Sequence, residues 1–217
     1  MRLLNNLQDP ETIRNLNSEI KRFDIINFLI EKYNLTNYLE IGVFHGENIR
    51  EVKAPYKNGV DPGIEGVVAP EVDYPITSDK FFELIKGHDI KYDIIFIDGL
   101  HEYSQVKKDI ENSFNHLKHG GFILMHDCNP VSYISQLPNR KTIVWNGDVW
   151  RSFVEFRLNN PLIESCVVDT DFGVGFIKNN GKEIVTSPPL SLNYESFDLE
   201  RKKYLNLITW DEFKKTY

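Results

Sequence analysis

The passage that most constrains this chain is Asn37-Tyr38-Leu39-Glu40-Ile41-Gly42-Val43-Phe44-His45-Gly46. A short apolar run carries an acid near its end. Two glycines come next, and residues with helical spacing lie beyond them. An open α/β sheet presents its first strand, first turn and first helix to a nucleotide-like ligand in this order. Glycine permits the turn's backbone angles and close approach of the ligand. The helix start beyond offers free N–H groups.

The spacing is Glu-x-Gly-x-x-x-Gly, not the Gly-x-Gly-x-x-Gly that seats a pyrophosphate on a helix N-terminus. Glu40 stands where the first glycine of that fingerprint would be. Its carboxylate would repel a pyrophosphate and suits a ligand with cationic or hydroxyl groups.

A chain of 217 residues with 41% hydrophobic and 26% charged residues can bury one sizeable core. We expect one domain over 1–217, with an N-terminal helix and a C-terminal helical tail. Net charge is −7 and no Lys/Arg-rich run stands out, which argues against a nucleic-acid partner. No apolar run is long enough to span a bilayer, and the apolar start at Leu3-Leu4 is too short for a signal peptide. Cys128 and Cys166 show no metal-ligand spacing and read as reduced thiols, so a cytoplasmic location is expected. A homo-oligomer is compatible with the sequence, which does not specify one.

Along the chain, Ile13, Leu16, Ile20, Phe23, Ile26 and Ile30 recur at helical spacing over Glu11–Lys32. Strands are expected at Tyr38–Ile41, near Asn58–Asp61, at Tyr92–Ile97 and at Phe122–Met125. The last two are continuous apolar runs of the kind buried on both faces of a parallel sheet. Ser78 is read as the cap of a helix carrying Phe81, Phe82 and Ile85. Gly120-Gly121 is read as closing the helix of Val106, Ile110, Phe114 and Leu117. Gly63–Pro75 and Cys128–Lys141 read as loops on the acceptor side. Thr142–Trp145 is a candidate strand, and Asp148 a cap for a helix through Arg157. A hairpin is expected over Ser165–Asp169 and Phe172–Lys178. Alternating strands and helices predict an α/β, Rossmann-like, doubly wound sheet.

Four strand ends carry an acid: Glu40, Asp61, Asp98 and Asp127. In this architecture the ligand lies beyond those ends. Like charges gathered at one edge need something cationic or hydrogen-bonding between them. Asp61 sits where a ribose-binding carboxylate is expected, though an Asp-Pro turn also explains it. Ser78-Asp79 could meet an adenine edge in addition to capping. Asp98-Gly99-Leu100-His101-Glu102-Tyr103 and His126-Asp127 each place an imidazole beside a carboxylate. Histidine can take a proton from a substrate hydroxyl. Paired carboxylates can instead hold a divalent cation that acidifies it. Trp145-Asn146-Gly147-Asp148-Val149-Trp150-Arg151 suits a sugar ring or planar acceptor, or simply packs into the core.

With these residues in view, the chain resembles the class I S-adenosylmethionine-dependent methyltransferases. The likeness is to members with Ile-Asp-Gly-x-His-x-Tyr after one strand, here Ile97-Asp98-Gly99-Leu100-His101-Glu102-Tyr103, and with a His-Asp pair after the next, here His126-Asp127. It runs from Tyr38 to Asp127 and more loosely to the Asp169–Ile177 hairpin. The resemblance implies a seven-stranded sheet, mostly parallel with an antiparallel last strand. It implies contacts from Glu40, Gly42 and Gly46 to the methionine tail of S-adenosylmethionine, from Asp61 to the ribose and from Ser78 and Asp79 to adenine, with Phe44 and Asp98 also among the cofactor-binding residues. His101 or His126 would be the base, with Asp98 and Asp127 orienting. A related branch uses magnesium; Asp98 and Asp127 match its acids, but Cys128 stands where it has an amide or acid, and thiol is a poor magnesium ligand. The expected function is O-methylation of a small hydroxylated acceptor such as a sugar or sugar nucleotide, in glycan biosynthesis. The rivals are an NAD-dependent oxidoreductase and a catalytically silent nucleotide-binding protein in a glycan pathway.

Overall fold

A computed structural model describes residues 3–63, 68–186 and 191–217. Residues 64–67 of the expected Gly63–Pro75 loop lie outside the described residues. The chain opens with α1 (Pro10–Leu16), started by Asp9, whose carboxylate accepts from the Glu11 and Thr12 N–H groups. It continues with α2 (Arg22–Tyr33), which ends on Asn34 in the left-handed region. The single helix expected over Glu11–Lys32 is thus two. Asn17 caps α1, and residues 17–21 turn aside to meet a distant hairpin.

Next come β1 (Asn37–Ile41), α3 (Glu47–Glu51), β2 (Tyr56–Val60) and α4 (Ser78–Ile85). Thr77 is the cap of α4, its hydroxyl accepting from Lys80 N, and Ser78 is the first helical residue. Then come β3 (Tyr92–Ile97), α5 (Tyr103–Asn115) and β4 (Leu117–Met125). Gly120-Gly121 therefore lies inside a strand and does not close the helix. The β3–β4 register jumps from Tyr92↔Leu117 to Ile94↔Phe122, so the glycine pair sits in a bulge. A Cβ on Gly121 would come within 2.7 Å of the Asp93 carbonyl oxygen.

Beyond β4 lie α6 (Val149–Asn159), β5 (Ser165–Val168), β6 (Val174–Lys178), α7 (Tyr194–Leu199), α8 (Arg201–Leu205), β7 (Leu207–Ile208) and α9 (Trp210–Thr216). Thr142 makes only an isolated bridge to Leu4, so Thr142–Trp145 is not a strand. The sheet order is β2-β1-β3-β4-β6-β5-β7. The expected seven strands form. One is reversed: β6 runs antiparallel to both β4 and β5, while β7 adds parallel to β5 at the edge.

Alternate strand residues feed two cores. Leu39, Ile95, Ile123 and Met125 pack with Phe81, Val106, Ile110 and Phe153 of α4, α5 and α6. Tyr38, Ile94, Phe96 and Leu124 pack on the other face with Ile25, Ile26 and Leu29 of α2 and Phe213 of α9. This two-sided burial is why β3 and β4 read as unbroken apolar runs. The chain winds from β1 to β2 on one side and from β3 to β4 on the other. That reversal opens a crevice at the carboxyl ends of β1 and β3.

Candidate active site

A cleft of about 960 Å³ fills that crevice. Glu40, Gly42, Phe44, Asp61, Ser78, Asp79, Asp98, His101, His126 and Asp127 all line it. Gly46 is not among the lining residues. It starts α3 with φ +79°, and a Cβ there would overlap the Glu71 carboxylate. Gly42 has φ +88°, and a Cβ would overlap the Asp98 carbonyl. Glycine is therefore required at Gly42 because the ends of β1 and β3 touch.

The turn after β1 is held by Asp61. Its Oδ2 accepts from Val43 N (2.9 Å) and Phe44 N (2.8 Å), and its Oδ1 from Gly63 N (2.7 Å). These bonds fix Phe44 at φ +50°, with its ring exposed in the cleft. Below the turn, Glu40 is 1% exposed. Its Oε2 accepts from the Tyr38 hydroxyl and from Asn48 Nδ2 (2.8 Å). Burial pushes the Glu40 carboxyl up to about 7, against the pull of those two hydrogen bonds. A buried, nearly neutral carboxyl gains from a ligand that brings positive charge.

At the α4 end, Gln105 Nε2 reaches Ser78 Oγ (3.2 Å), Asp79 Oδ1 (3.0 Å) and Asp109 Oδ1 (3.2 Å). Burial raises the Asp109 carboxyl to about 6. Gln105 and Asp109 carry no local sequence signal beyond their place in α5.

The far end gathers the histidines. His101 Nε2 lies 3.3 Å from Asp98 Oδ1, and its Nδ1 3.3 Å from Asp127 Oδ2 and 3.2 Å from the Trp145 carbonyl. Its ring stacks on Trp145 at 5.2 Å. His126 Nδ1 lies 3.4 Å from Asp98 Oδ1 and 3.2 Å from Asp127 Oδ2. Burial lowers both imidazole pKa values and the Arg22 guanidinium lowers that of His126 further, but the carboxylates outweigh them and hold both above the ordinary histidine range. Asp98 is pushed up by burial and pulled down further by His126, His101 and Arg22, ending well below the carboxylate range.

Two residues here, Arg22 and Asp171, escape sequence reasoning, and a third, Asn146, reads only as part of the Trp145–Arg151 cluster. Arg22 Nη1 stands 2.9 Å from His126 Nε2 and 3.1 Å from Asp171 Oδ2. Asn146 Nδ2 donates to Asp127 Oδ1 at 2.5 Å. Arg22 and Asp171 are remote in sequence from the motifs, and nothing local to Asn146 pairs it with Asp127. The Trp145–Arg151 cluster divides. Trp145 lines the cleft, whereas Trp150 is 1% exposed in the core. Asp148 stands at the start of α6 without capping it. Its Oδ1 accepts from Tyr103 N (2.6 Å), the first residue of α5.

Asp98, His101 and Asp127 bring one ligand atom each within 4.8 Å of one another, a grouping able to hold a metal ion. Cys128 is buried with Sγ against Gly175, and burial raises its thiol pKa. Asn129 bonds to Asp169 and Arg201. An imidazole among the donors suits zinc- or iron-like cations better than magnesium.

A methyltransferase-domain family model matches residues 47–128. No curated protein matches the chain. Among solved structures, the O-methyltransferase TomG from Streptomyces achromogenes, in complex with SAM and involved in tomaymycin synthesis, is similar at 11% identity. That match has a TM-score of 0.52 and covers 74% of this chain and 80% of that one. An O-methyltransferase from Bacillus cereus in complex with SAH is similar at 14% identity, with a TM-score of 0.50, covering 79% of this chain and 86% of that one. The chain has the class I methyltransferase fold, with its methyltransferase-domain match running from α3 to Cys128, just beyond β4.

Proposed function

We propose that this protein is an S-adenosylmethionine-dependent O-methyltransferase acting on a small hydroxylated acceptor, with a sugar or sugar nucleotide first among candidates. One observation carries the reading. A single cleft joins the glycine turn and buried Glu40 at one end to Asp98, His101, His126 and Asp127 at the other. Glu40 offers a buried acceptor for the cofactor's cationic tail, Asp61 a carboxylate for the ribose, and Ser78, Asp79 and Gln105 polar groups for the base. The same Glu40 weighs against a pyrophosphate, and so against the NAD-dependent rival.

The cofactor, when bound, supplies a methyl group already activated by its sulfonium. The chain's own residues align the acceptor hydroxyl and receive its proton. His101, in the neutral form populated above its raised pKa, is the favoured base, because its side chain is 20% exposed whereas that of His126 is 8%. Asp98 and Asp127 orient the two rings. Where a divalent cation is used, Asp98, His101 and Asp127 would hold it, and it would acidify the hydroxyl. Trp145, stacked over His101, gives the acceptor a flat apolar surface beside polar groups, which suits a sugar ring.

No helix among the described residues is long and apolar enough to cross a membrane. A single-domain protein acting in the cytoplasm is the reading we retain, supported by two buried, unpaired cysteines. Titration with S-adenosylhomocysteine and with NAD tests the cofactor: binding of NAD alone overturns the proposal. Incubation with methyl-labelled cofactor and a soluble extract identifies the acceptor by what gains label. Cofactor binding without transfer to any acceptor would favour the silent nucleotide-binding protein.

A further inference from the structure

We infer that Arg22 is a positioning residue of the reaction centre, carried there by a segment outside the matched domain and clasped by the β5–β6 turn. The inference rests on the methyl-transfer reading above. Its starting point is charge. Asp98, Asp127 and Asp171 face one another around His126. Arg22 is the guanidinium among them, with Nη1 3.1 Å from Asp171 Oδ2 and Nε 3.8 Å from Asp98 Oδ2. A planar guanidinium can serve several acceptors at once in a fixed geometry. Here it reaches both an acid of the reaction centre and the outer ring nitrogen, Nε2, of an imidazole.

The backbone around it is built for this placement. Asp171, Phe172 and Gly173 are three successive left-handed residues, with φ of 46°, 64° and 85°. Two of them carry side chains that disfavour that region, and such strain persists only where surroundings over-determine it. The surroundings are the end of α1 and the α1–α2 connection. Phe172 N donates to Asn15 Oδ1 (2.7 Å), Asp171 N to Ser18 Oγ (3.2 Å) and Thr170 Oγ1 to the Ile20 carbonyl (2.6 Å). The Asp171 carboxylate also accepts from Arg22 N at 3.1 Å, the first backbone N–H of α2. One turn thus anchors the start of α2 and the Arg22 side chain together. Phe172 closes the group with its ring edge-on to His126 at 6.1 Å. Leu16, Lys21, Arg22 and Phe23 line the cleft from this side. Neither the 15–23 segment nor the 168–174 turn falls within the matched residues 47–128.

The geometry assigns Arg22 a role exercised through His126 and Asp98, distinct from binding the cofactor at the glycine turn. The test uses the full chain labelled with 15N-histidine and saturated with S-adenosylhomocysteine, compared with Arg22→Gln, Arg22→Lys and Asp171→Asn. Arg22→Gln should displace the His126 ring signals and slow methyl-label transfer to extract acceptors about thirtyfold, with S-adenosylhomocysteine affinity held within about threefold. Arg22→Lys should recover part of the rate, and Asp171→Asn, which keeps the side-chain shape, should disturb His126 in the same direction. Unchanged His126 signals and rate in Arg22→Gln overturn the inference. So does a slowed Arg22→Gln variant whose His126 signals stay in place, which would make Arg22 a clasp for α2 alone. Failure of the wild-type protein to bind S-adenosylhomocysteine would sink the cofactor reading instead. The His126 signals of the unliganded proteins would then still decide where Arg22 acts.

Discussion

Gly147 has no side chain to spare for His101: a Cβ at Gly147, where φ is +64°, would overlap the His101 carbonyl. The two backbones are pressed together by further bonds. The Asp148 N–H donates to that same carbonyl at 3.3 Å, and the Trp145 carbonyl faces His101 Nδ1 at 3.2 Å. Gly147→Ala should therefore push the loop off His101. We expect a loss of about 1–3 kcal/mol in stability and at least a tenfold fall in label transfer, with S-adenosylhomocysteine binding at the distant glycine turn largely kept. Thermal unfolding and calorimetric titration of the variant check this; equal loss of binding and turnover would contradict it.

Glu40 couples folding to protons and, in the proposed cofactor site, would couple binding to them as well. Its folded carboxyl is raised to about 7 from an ordinary 4.5. The unfolded chain therefore releases this proton at lower pH than the folded one. Glu40 lowers stability progressively as pH rises from about 4.5 to 7, by about 3 kcal/mol once ionised in both states. A cationic tail beside it would replace the proton. Binding of S-adenosylhomocysteine near pH 6 should then release a proton, and its calorimetric heat should differ between buffers of different ionisation enthalpy. Glu40→Gln should stabilise the unliganded protein at pH 8, weaken the ligand about tenfold or more, and abolish the buffer dependence. A wild-type heat independent of buffer would show that Glu40 does not meet the charge.

Asp98 and Asp127 are legible in the sequence because β3 and β4, buried on both faces, end as apolar runs, and the residues just past such a run lie at the carboxyl edge of the sheet; Glu40, inside β1, and Asp61, after the polar strand β2, are legible from their spacing around the glycine turn. His101 and His126 are legible for the same reason as Asp98 and Asp127. Gly120-Gly121 misleads, since a glycine pair after a helical face resembles a stop as much as a bulge. Asp148 reads as a cap for α6, but the helix it serves is α5, chosen by tertiary packing. Arg22 and Asp171 are beyond reach, because a cation and an acid distant in sequence meet only through the strained turn. Local pattern encodes which edge is used; pairing across the cleft is set by the assembled fold.

Asp61 holds three backbone N–H groups of the turn and its flank, so two roles must be separated. Asp61→Ala should cost about 1–3 kcal/mol by orphaning those donors and weaken S-adenosylhomocysteine more than tenfold. If the carboxylate also meets ribose hydroxyls, 2′,3′-dideoxyadenosine should lose far less affinity than adenosine on the same substitution. Equal losses for both nucleosides would reduce Asp61 to a support for the turn.

His101 and His126 share Asp98 and Asp127 but not their surroundings, and that asymmetry yields a prediction about proton transfer. His126 is enclosed by Arg22, Asp171 and Phe172, whereas His101 faces the cleft under Trp145. His101→Ala should lower label transfer by about 10²–10⁴-fold, the usual worth of a positioned general base. His126→Ala should cost less, through loss of alignment. Chelator then separates two versions of the chemistry. Activity that survives chelation leaves His101 to take the proton directly. Activity lost to chelator and restored by manganese or zinc makes Asp98, His101 and Asp127 a cation site, with the hydroxyl acidified by the metal. In that case Asp127→Asn should fail even with added metal, since it removes one of the two carboxylates that would hold the ion. Full turnover in both histidine variants would remove general-base catalysis from this site altogether.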